Sequence, residues 1–227
     1  MKPRVNGGGL AAAGVAGYLV GAIPTGLMVG RLAAGVDVRK FGSRVSGATN
    51  VLRAAGPGAA ATTVGLDTAK GWLAARLGRS LGGELGGVVG AMAAATGHSW
   101  PLFAQFRGGR SVLTCWGSLL ALDPVSGTSA ALAGASTALL TRYSSLGALT
   151  GVTTAAAVAQ LERGRRPTPG QVFSLFAVAF LVLRHQENLR RLQSGQERRL
   201  GEHVNLARAG VTEGDPSSSG VAPAELS

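Results

Sequence analysis

Long apolar runs alternate with short polar segments along most of the chain. The first run, Leu10 to Gly30, contains no charged residue, and at about 20 residues it is long enough to cross a bilayer as a helix. Six further runs follow, several of them short or rich in Gly and Ala: roughly Gly58 to Leu77, Leu81 to Thr96, Ser111 to Leu122, Val125 to Leu140, Leu146 to Gln160 and Gln171 to Leu183. This pattern predicts an all-α integral membrane protein with about seven transmembrane helices, joined by short amphipathic or re-entrant loop segments.

A secretory signal peptide is the competing interpretation of the first run. Lys2 and Arg4 would form its basic start, and Ala11 to Ala13 would lie near its cleavage site. The apolar run is longer than the ~7–15 residues of a signal-peptide core. Its length therefore favours a membrane span.

The composition agrees with a membrane protein whose helices pack closely. The chain is 46% hydrophobic and only 15% charged, and it contains 36 glycines. Helices in lipid associate through small residues that let their backbones approach, whereas a disordered chain would be more polar and more charged. Cys115 is the only cysteine, which excludes an intrachain disulfide and a multi-cysteine metal site.

Basic residues cluster beside the predicted spans. The net charge is +11, and cytoplasmic loops near membrane spans are enriched in Lys and Arg. With seven spans, three basic segments share the cytoplasmic side: the loop after the first span, the loop around Arg107 and Arg110, and the segment from Arg184. The segment Glu162 to Arg166, with three arginines, would lie outside and disagrees with this orientation. No recognition-helix pattern accompanies the charge, so a nucleic-acid partner is not expected.

Three polar segments carry the candidate chemistry. The first loop, Gly35 to Gly56, combines glycines, hydroxyls, Asn50 and arginines, and such residues suit a phosphate because backbone N–H groups and cations surround it. The second loop, Gly97 to Ser111, has a Gly-Gly-Arg unit before a span. The third segment, Arg184 to Arg198, is predicted to be a helix with His185 and Asn188 on one face. Taken singly, the first loop is equally compatible with an ordinary turn-rich loop, and His98 with an interfacial hydrogen-bonding residue. An isolated His and Asn, as in the third segment, usually belong to a solvated juxtamembrane helix.

Taken together, the three segments resemble the PlsY family of acyl-phosphate-dependent glycerol-3-phosphate acyltransferases of bacterial membranes. The resemblance runs from about Tyr18 to Gly201 and rests on ordered motifs: Gly21-Ala-Ile-Pro24, Asp37-Val-Arg39, Gly42-Ser43, Gly47-Ala-Thr-Asn50-Val-Leu-Arg53, Leu66-Asp67, Lys70-Gly71, Gly97-His98, Pro101, Phe106, Gly108-Gly109, Leu122-Asp123-Pro124, Arg142-Tyr143, Arg184-His185 and Asn188. It implies seven membrane helices, no nucleotide, metal or other cofactor, and acyl transfer from acyl phosphate to the 1-hydroxyl of glycerol 3-phosphate. The products would be lysophosphatidic acid and phosphate, in the first step of phospholipid synthesis.

The resemblance also implies the site residues. Ser43, His185 and Asn188 would be catalytic. The substrate-binding residues would be Thr49, Asn50, Arg53, His98, Gly108, Gly109 and Arg110, with Thr49 and Asn50 shaping the first loop and the two glycines giving the acyl phosphate backbone donors. The glycerol hydroxyl would attack directly, its proton passing to the departing phosphate or to His185. A covalent route through Ser43 is the alternative.

Five positions depart from the family pattern. Arg44 and Val45 stand where the family has Gly and Asn, Arg110 and Ser111 where it has Lys and Gly, and Ala22 where it has Ser. A catalytically weak relative that binds lipid phosphates or regulates an active acyltransferase is therefore the alternative function. A transporter explains less, because ionisable residues in the spans are few beyond Asp67 and Lys70.

The expected organisation is a membrane acyltransferase-like domain over residues 1–201 and a disordered cytoplasmic tail over residues 202–227. The expected location is the bacterial cytoplasmic (inner) membrane, crossed several times, with the active site facing the cytoplasm. Membrane lipids, acyl phosphate and glycerol 3-phosphate are the expected partners.

Overall fold

A computed structural model describes residues 7–161 and 166–201 of the chain, and the regular structure within these ranges is helical. The helices are α1 (Gly7–Gly21), α2 (Thr25–Ala34), α3 (Ala48–Ser99), α4 (Val112–Leu122), α5 (Pro124–Thr141), α6 (Ser144–Gln160), α7 (Pro169–Arg184) and α8 (Gln186–Gln193). Short 3-10 turns lie at Val38–Lys40 and Leu102–Ala104. The all-α prediction is confirmed for these residues. Most of the segment Glu162 to Arg166 and the predicted tail over residues 202–227 lie outside them.

The seven predicted apolar segments lie almost entirely in helices, but the first is not a single helix. Residues 22–24 interrupt it, because Pro24 has no N–H group to continue the helical hydrogen bonds. The stretch Gly7–Ala34 as a whole has 28 residues and a mean hydropathy of 1.6, which by length and composition suffices to cross a membrane. The number of crossings stays a prediction.

Helix α3 contains two breaks, both at glycine. Gly56 has φ +82° and Gly83 has φ +66°, a left-handed region that side chains with a Cβ rarely adopt. The break at Gly82 and Gly83 folds the helix back on itself. The two arms pack closely there, since a Cβ on Gly78 would lie 2.3 Å from the Gly86 carbonyl oxygen.

Small residues bring the helix backbones together, as the composition predicts. A Cβ on Gly17 of α1 would lie 2.3 Å from the carbonyl oxygen of Gly90 on α3. One on Gly71 of α3 would lie 2.0 Å from the carbonyl oxygen of Thr114 on α4. Because backbones this close exclude any side chain, van der Waals contact between small residues holds these helices together.

The core lies where α3, α4, α6 and α7 meet, and the outer surface is also apolar. Leu119, Phe173 and Leu181 are almost fully buried in the core. Leu32 and Leu140, by contrast, are each 86% exposed. An exposed surface rich in large apolar side chains is expected for helices in contact with lipid.

Candidate active site

A cavity of about 980 Å³ collects most of the predicted site residues. Its polar end is formed by the first loop, Arg110, His185, α8 and the segment after α8. Its apolar walls come from α4, α5 and α6. The predicted residues that line it are Ser43, Thr49, Asn50, Arg53, His98, Arg110, His185 and Asn188. Gly108 and Gly109 lie next to it, behind His98.

The first loop is organised around the side chain of Asn50, which is 1% exposed. Its Nδ2 donates to the carbonyl oxygens of Val38 at 2.7 Å, Phe41 at 3.1 Å and Val45 at 2.9 Å. Its Oδ1 accepts from the Ser43 N–H at 3.2 Å. One buried amide therefore fixes the backbone on both sides of Ser43, in agreement with a loop-shaping role.

Arg44 occupies a left-handed backbone position, φ +57°. Its N–H donates to the Phe41 carbonyl oxygen at 2.9 Å, and its side chain lies at the rim of the cavity. A residue with a Cβ is strained here by about 1–2 kcal/mol relative to glycine. The loop accepts this strain because the bonds of Asn50 hold the neighbouring peptides.

The second loop is held by contacts between its backbone and His98. The Gly109 N–H donates to the His98 carbonyl oxygen at 3.1 Å. A Cβ on Gly108 would lie 2.0 Å from that oxygen, and a Cβ on Gly109 would lie 2.1 Å from His98 Nε2. In this arrangement the Gly109 N–H is engaged with His98, and backbone donation from Gly108 and Gly109 to the acyl phosphate stays a prediction. Both glycines allow the loop to pack onto His98.

The first and second loops also contact each other. The Ser46 N–H donates to the Gly108 carbonyl oxygen at 3.4 Å, and Arg39 Nη1 donates to the Ala104 carbonyl oxygen at 3.0 Å. Arg39 Nη2 lies 2.8 Å from Asp37 Oδ2. The hydrogen bond that Arg39 donates lowers the pKa of Asp37 to about 2, so this pair is ionised at neutral pH.

A buried polar network lies behind His98 at the break between α1 and α2. Asp67 Oδ1 lies 2.8 Å from Lys70 Nζ and 3.4 Å from His98 Nδ1, and it also accepts from the Thr25 hydroxyl. Lys70 Nζ donates at 3.0 Å to the Ile23 carbonyl oxygen in the break, which also accepts from the Thr25 N–H at 2.9 Å. Asp67 and Lys70 thus link the break to His98, a role that sequence spacing alone does not reveal.

His185 is 2% exposed, at the junction of α7 and α8. Its Nδ1 lies 2.8 Å from the Leu181 carbonyl oxygen. Because a carbonyl can only accept, Nδ1 carries the proton and Nε2 carries a lone pair. Burial, and then the nearby charge of Arg110, lower the pKa of His185 to about 4. The imidazole is therefore neutral at physiological pH, with an acceptor nitrogen at the cavity.

Arg184, next to His185, connects α7 to the second loop. Its Nη2 donates to the Gly109 carbonyl oxygen at 3.1 Å. Its guanidinium carbon lies 4.8 Å from the centroid of the Trp100 ring, a cation–π geometry. Arg184 thus fixes one side of the glycine loop, whereas His98 fixes the other.

Glu197 joins the segment after α8 to the cavity wall. It accepts from Ser145 Oγ at 2.9 Å, from Arg191 Nε at 2.9 Å and from Asn188 Nδ2. Burial alone would raise the pKa of Glu197, but hydrogen bonds from Asn188, Arg191 and Ser145 outweigh it and lower the pKa. Asn188 Oδ1 is left buried without a hydrogen-bond partner among the described residues. Sequence reasoning missed this carboxylate, for which the only signal was its place in the third segment.

The polar end of the cavity is cationic. Its lining includes the carboxylates Asp67, Glu187 and Glu197, and these pair with Lys70 and Arg191. Arg44, Arg110 and Arg198 form no salt bridge within 4.0 Å among the residues described. Burial lowers the pKa of Arg110 to about 10, with Glu197 opposing that shift, so Arg110 keeps its charge at neutral pH. The site can therefore bind anions.

The fold and the cavity define a class of protein. It is an α-helical protein with an apolar outer surface suited to lipid, and its anion-binding pocket opens into an apolar groove. A family model described as glycerol-3-phosphate acyltransferase matches residues 11–195. The chain belongs to this family.

Similar relatives cover nearly the same part of the chain. It is 42% identical over 192 residues to a glycerol-3-phosphate acyltransferase of Symbiobacterium thermophilum, covering 85% of this chain and 95% of that protein. It is 46% identical over 189 residues to one of Thermus thermophilus, covering 82% and 93%. A crystal structure of PlsY (YgiH), an integral membrane glycerol 3-phosphate acyltransferase in its glycerol 3-phosphate form, superimposes with a TM-score of 0.77 at 30% identity, covering 85% of this chain and 96% of that one. The crystal structure of the same PlsY in its lysophosphatidic acid form superimposes with a TM-score of 0.75.

Proposed function

We propose that this protein transfers a fatty acyl group from acyl phosphate to the 1-hydroxyl of glycerol 3-phosphate, the first step of phospholipid synthesis. The observation that carries this proposal is the continuity of one cavity, in which a cationic end meets apolar walls. Acyl phosphate has the same two parts, an anion joined to a long apolar chain. Glycerol 3-phosphate supplies a second anion, and the family and its ligand-bound structural relatives support that substrate.

The phosphate groups are assigned to the cationic end. Arg53, Arg110 and the hydroxyl of Ser43 would bind them, since guanidinium groups and hydroxyls are strong donors to phosphate. The unpartnered Asn188 Oδ1 suits a donor rather than an anion. We assign it to a hydroxyl of glycerol 3-phosphate, which would relieve the cost of leaving a buried acceptor unsatisfied.

Direct transfer is the mechanism that this arrangement favours. The 1-hydroxyl oxygen attacks the acyl carbonyl carbon, the carbonyl–phosphate bond breaks, and the hydroxyl proton passes to the released phosphate. His185 Nε2 would accept a hydrogen bond from the attacking hydroxyl and orient it. A pKa of about 4 makes His185 a weaker proton acceptor than a phosphate dianion, since even a phosphate monoester has a second pKa of about 6.

A covalent route through Ser43 has less support. The N–H of Ser43 is bonded to Asn50, and the hydrogen bonds among the described residues give its Oγ no histidine partner that would act as a base. Incubation with palmitoyl phosphate alone, followed by mass spectrometry, tests this directly. A stable acyl adduct on Ser43 would overturn direct transfer.

We also propose which membrane holds the protein and which way it faces. The protein would cross the bacterial cytoplasmic membrane several times, with the mouth of the cavity on the cytoplasmic side. The exposed basic residues Arg44 and Arg198, which line the cavity, follow the charge bias of cytoplasmic loops. Glycerol 3-phosphate is a soluble anion, so a mouth on that side would give it access from the cell interior.

Reconstitution in lipid nanodiscs tests the function. The protein receives palmitoyl phosphate and glycerol 3-phosphate, and released phosphate and lysophosphatidic acid are measured. We expect equal amounts of both. Arg110→Gln should raise a substrate KM by about 30-fold or more, since a charged hydrogen bond contributes about 2–3 kcal/mol. Arg107→Gln, in the same loop but outside the cavity lining, is the matched control. A folded protein that binds the anions without releasing products would favour the non-catalytic relative.

The same assay across pH tests the role of His185. With a pKa of about 4, His185 stays neutral from about pH 8 to about pH 5, so its protonation should not reduce kcat/KM in that range. We divide the kcat/KM of the wild type by that of His185→Gln at each pH, because the ionisation of the substrates affects both values equally and cancels in the ratio. A ratio that falls as the pH drops through about 6.5, the ordinary histidine value, would contradict this assignment.

A further inference from the structure

Three helices run from the polar end of the cavity along its apolar walls. Val112 begins α4 beside Arg110, Ala138 lies near the end of α5, and Ser144 begins α6 next to the Ser145 hydroxyl that donates to Glu197. The lining then continues to Leu119 on α4, Ala130 on α5 and Val152 on α6.

The depth of the groove is the same along all three walls. From the polar end to the last lining residue, the helices advance about seven or eight residues, which at 1.5 Å per residue is about 10–12 Å. We take the last lining residues of these helices, Leu119, Ala130 and Val152, as the floor of the groove.

The floor is closed by the protein core. Leu119 is 1% exposed, Val152 4% and Ala130 8%, and all three belong to the core cluster that includes Phe173. The wall above it is fixed as well, because Trp116 Nε1 donates to the Gly127 carbonyl oxygen at 2.9 Å. An extended chain entering from the polar end therefore meets packed side chains.

The side of the groove is open. Leu132 of α5 lines the cavity and is 67% exposed, and Val64 of α3 also lines it and is 36% exposed. Both belong to outward helix faces whose apolar character suits contact with lipid. A chain too long for the groove has an apolar exit between these helices.

We infer that the groove holds only about the first eight to ten carbons of the acyl chain and that the remainder leaves sideways into the lipid. An extended chain advances about 1.25 Å per carbon, from a bond length of about 1.5 Å, so about 10–12 Å holds about eight to ten carbons. This inference rests on the proposed function. In this proposal, Leu119, Ala130 and Val152 form the floor that determines specificity. The enzyme is then sensitive to the shape of the acyl chain near its carboxyl end but not to the total chain length.

Positional isomers of one acyl phosphate test this without changing chain length. The donors are hexadecanoyl phosphate and its cis-5 and cis-11 monounsaturated forms, competed in nanodiscs, with products quantified by mass spectrometry. A bend at carbon 5 would lie inside a straight groove, and misfit in a packed site is costly. We expect cis-5 to be used about fivefold or more less efficiently than the saturated donor, and cis-11 within about twofold of it.

Equal use of both isomers, or equal discrimination against both, would overturn the inference. Absence of transfer from every donor, including the saturated one, would instead overturn the proposed function. The two failures are therefore distinguishable.

A floor variant gives a second measurement. Val152→Phe raises the floor and should lower kcat/KM for palmitoyl phosphate by about tenfold, but for butyryl phosphate by less than about twofold. Retained butyryl transfer also shows that the variant is folded. Thr153→Phe, on the exposed face of the same turn, is the control and should change neither. An equal loss for both donors in Val152→Phe would contradict the inference.

Discussion

The first and second loops of the site are held by different parts of the molecule. In the first loop, one side chain, Asn50, bonds four backbone groups. In the second, the backbone of Gly108 and Gly109 packs directly onto His98. The difference accounts for the side chain accommodated at Arg44 and for the glycines at positions 108 and 109. A loop held by a central amide tolerates new side chains that point outwards, whereas backbone contact leaves no room for a Cβ.

The largest effect is expected from Gly109→Ala in the second loop. Its Cβ would lie 2.1 Å from His98 Nε2, so the loop or the imidazole must move, and displaced catalytic geometry is costly. We expect kcat/KM to fall by about 100-fold or more in the nanodisc assay. Gly47→Ala in the first loop, where no atom lies within 4 Å of the added Cβ, should cost less than about threefold. Equal losses would remove the distinction between the loops.

Asn50→Ala should be the next most damaging change. It removes the donor to three carbonyl oxygens and the acceptor for the Ser43 N–H, and unsatisfied buried groups cost about 1–3 kcal/mol each. We expect kcat/KM to fall by about 10- to 100-fold, with a lower Tm.

Asn50→Asp separates the donor role from the acceptor role. The carboxylate keeps the acceptor but sets negative charge against three carbonyl oxygens, so it should be no better than alanine. An active Asn50→Asp variant would show that the donors are dispensable.

Arg184→Gln tests the other support of the second loop. The change removes the hydrogen bond to the Gly109 carbonyl oxygen and the contact with Trp100, while His98 still holds the loop. We expect a loss of about five- to tenfold in kcat/KM, on the order of 1 kcal/mol. Arg190→Gln, a substitution on α8 outside the cavity lining, is the control. A loss as large as that of Gly109→Ala would mean that Arg184, rather than His98, is the main support.

Arg44→Gly should have the smallest effect. It relieves a left-handed backbone strain of about 1 kcal/mol, so the Tm should rise slightly and the rate should change by less than about threefold. The double variant Arg44→Gly, Val45→Asn restores the family pattern at these two positions. A gain above about tenfold in either would show that the first loop had lost function. A loss above about tenfold in Arg44→Gly would instead show that Arg44 contacts substrate.

Much of the fold was predictable from local pattern, but the break in the first span and the contacts of the site were not. Pro24 signals an interruption, but nothing local predicts that Lys70, 47 residues away, also donates to the Ile23 carbonyl oxygen there. Gly109 could be recognised as a loop glycine. That its N–H is engaged with His98, and its carbonyl oxygen with Arg184, 75 residues away, depends on how the helices pack.

Local pattern was enough to specify the helices and the chemical character of the three polar segments, because apolar runs must satisfy their own backbone in lipid and phosphate binding favours glycines, hydroxyls and cations. Packing in three dimensions settled which of those groups remain available to a ligand. Asn50 is used within its loop and Glu197 is used to hold Asn188 and Arg191, while Arg110 and Asn188 Oδ1 face the cavity unpaired among the described residues. A donor or acceptor has a fixed identity in the chain, but its partner is set by distance in space.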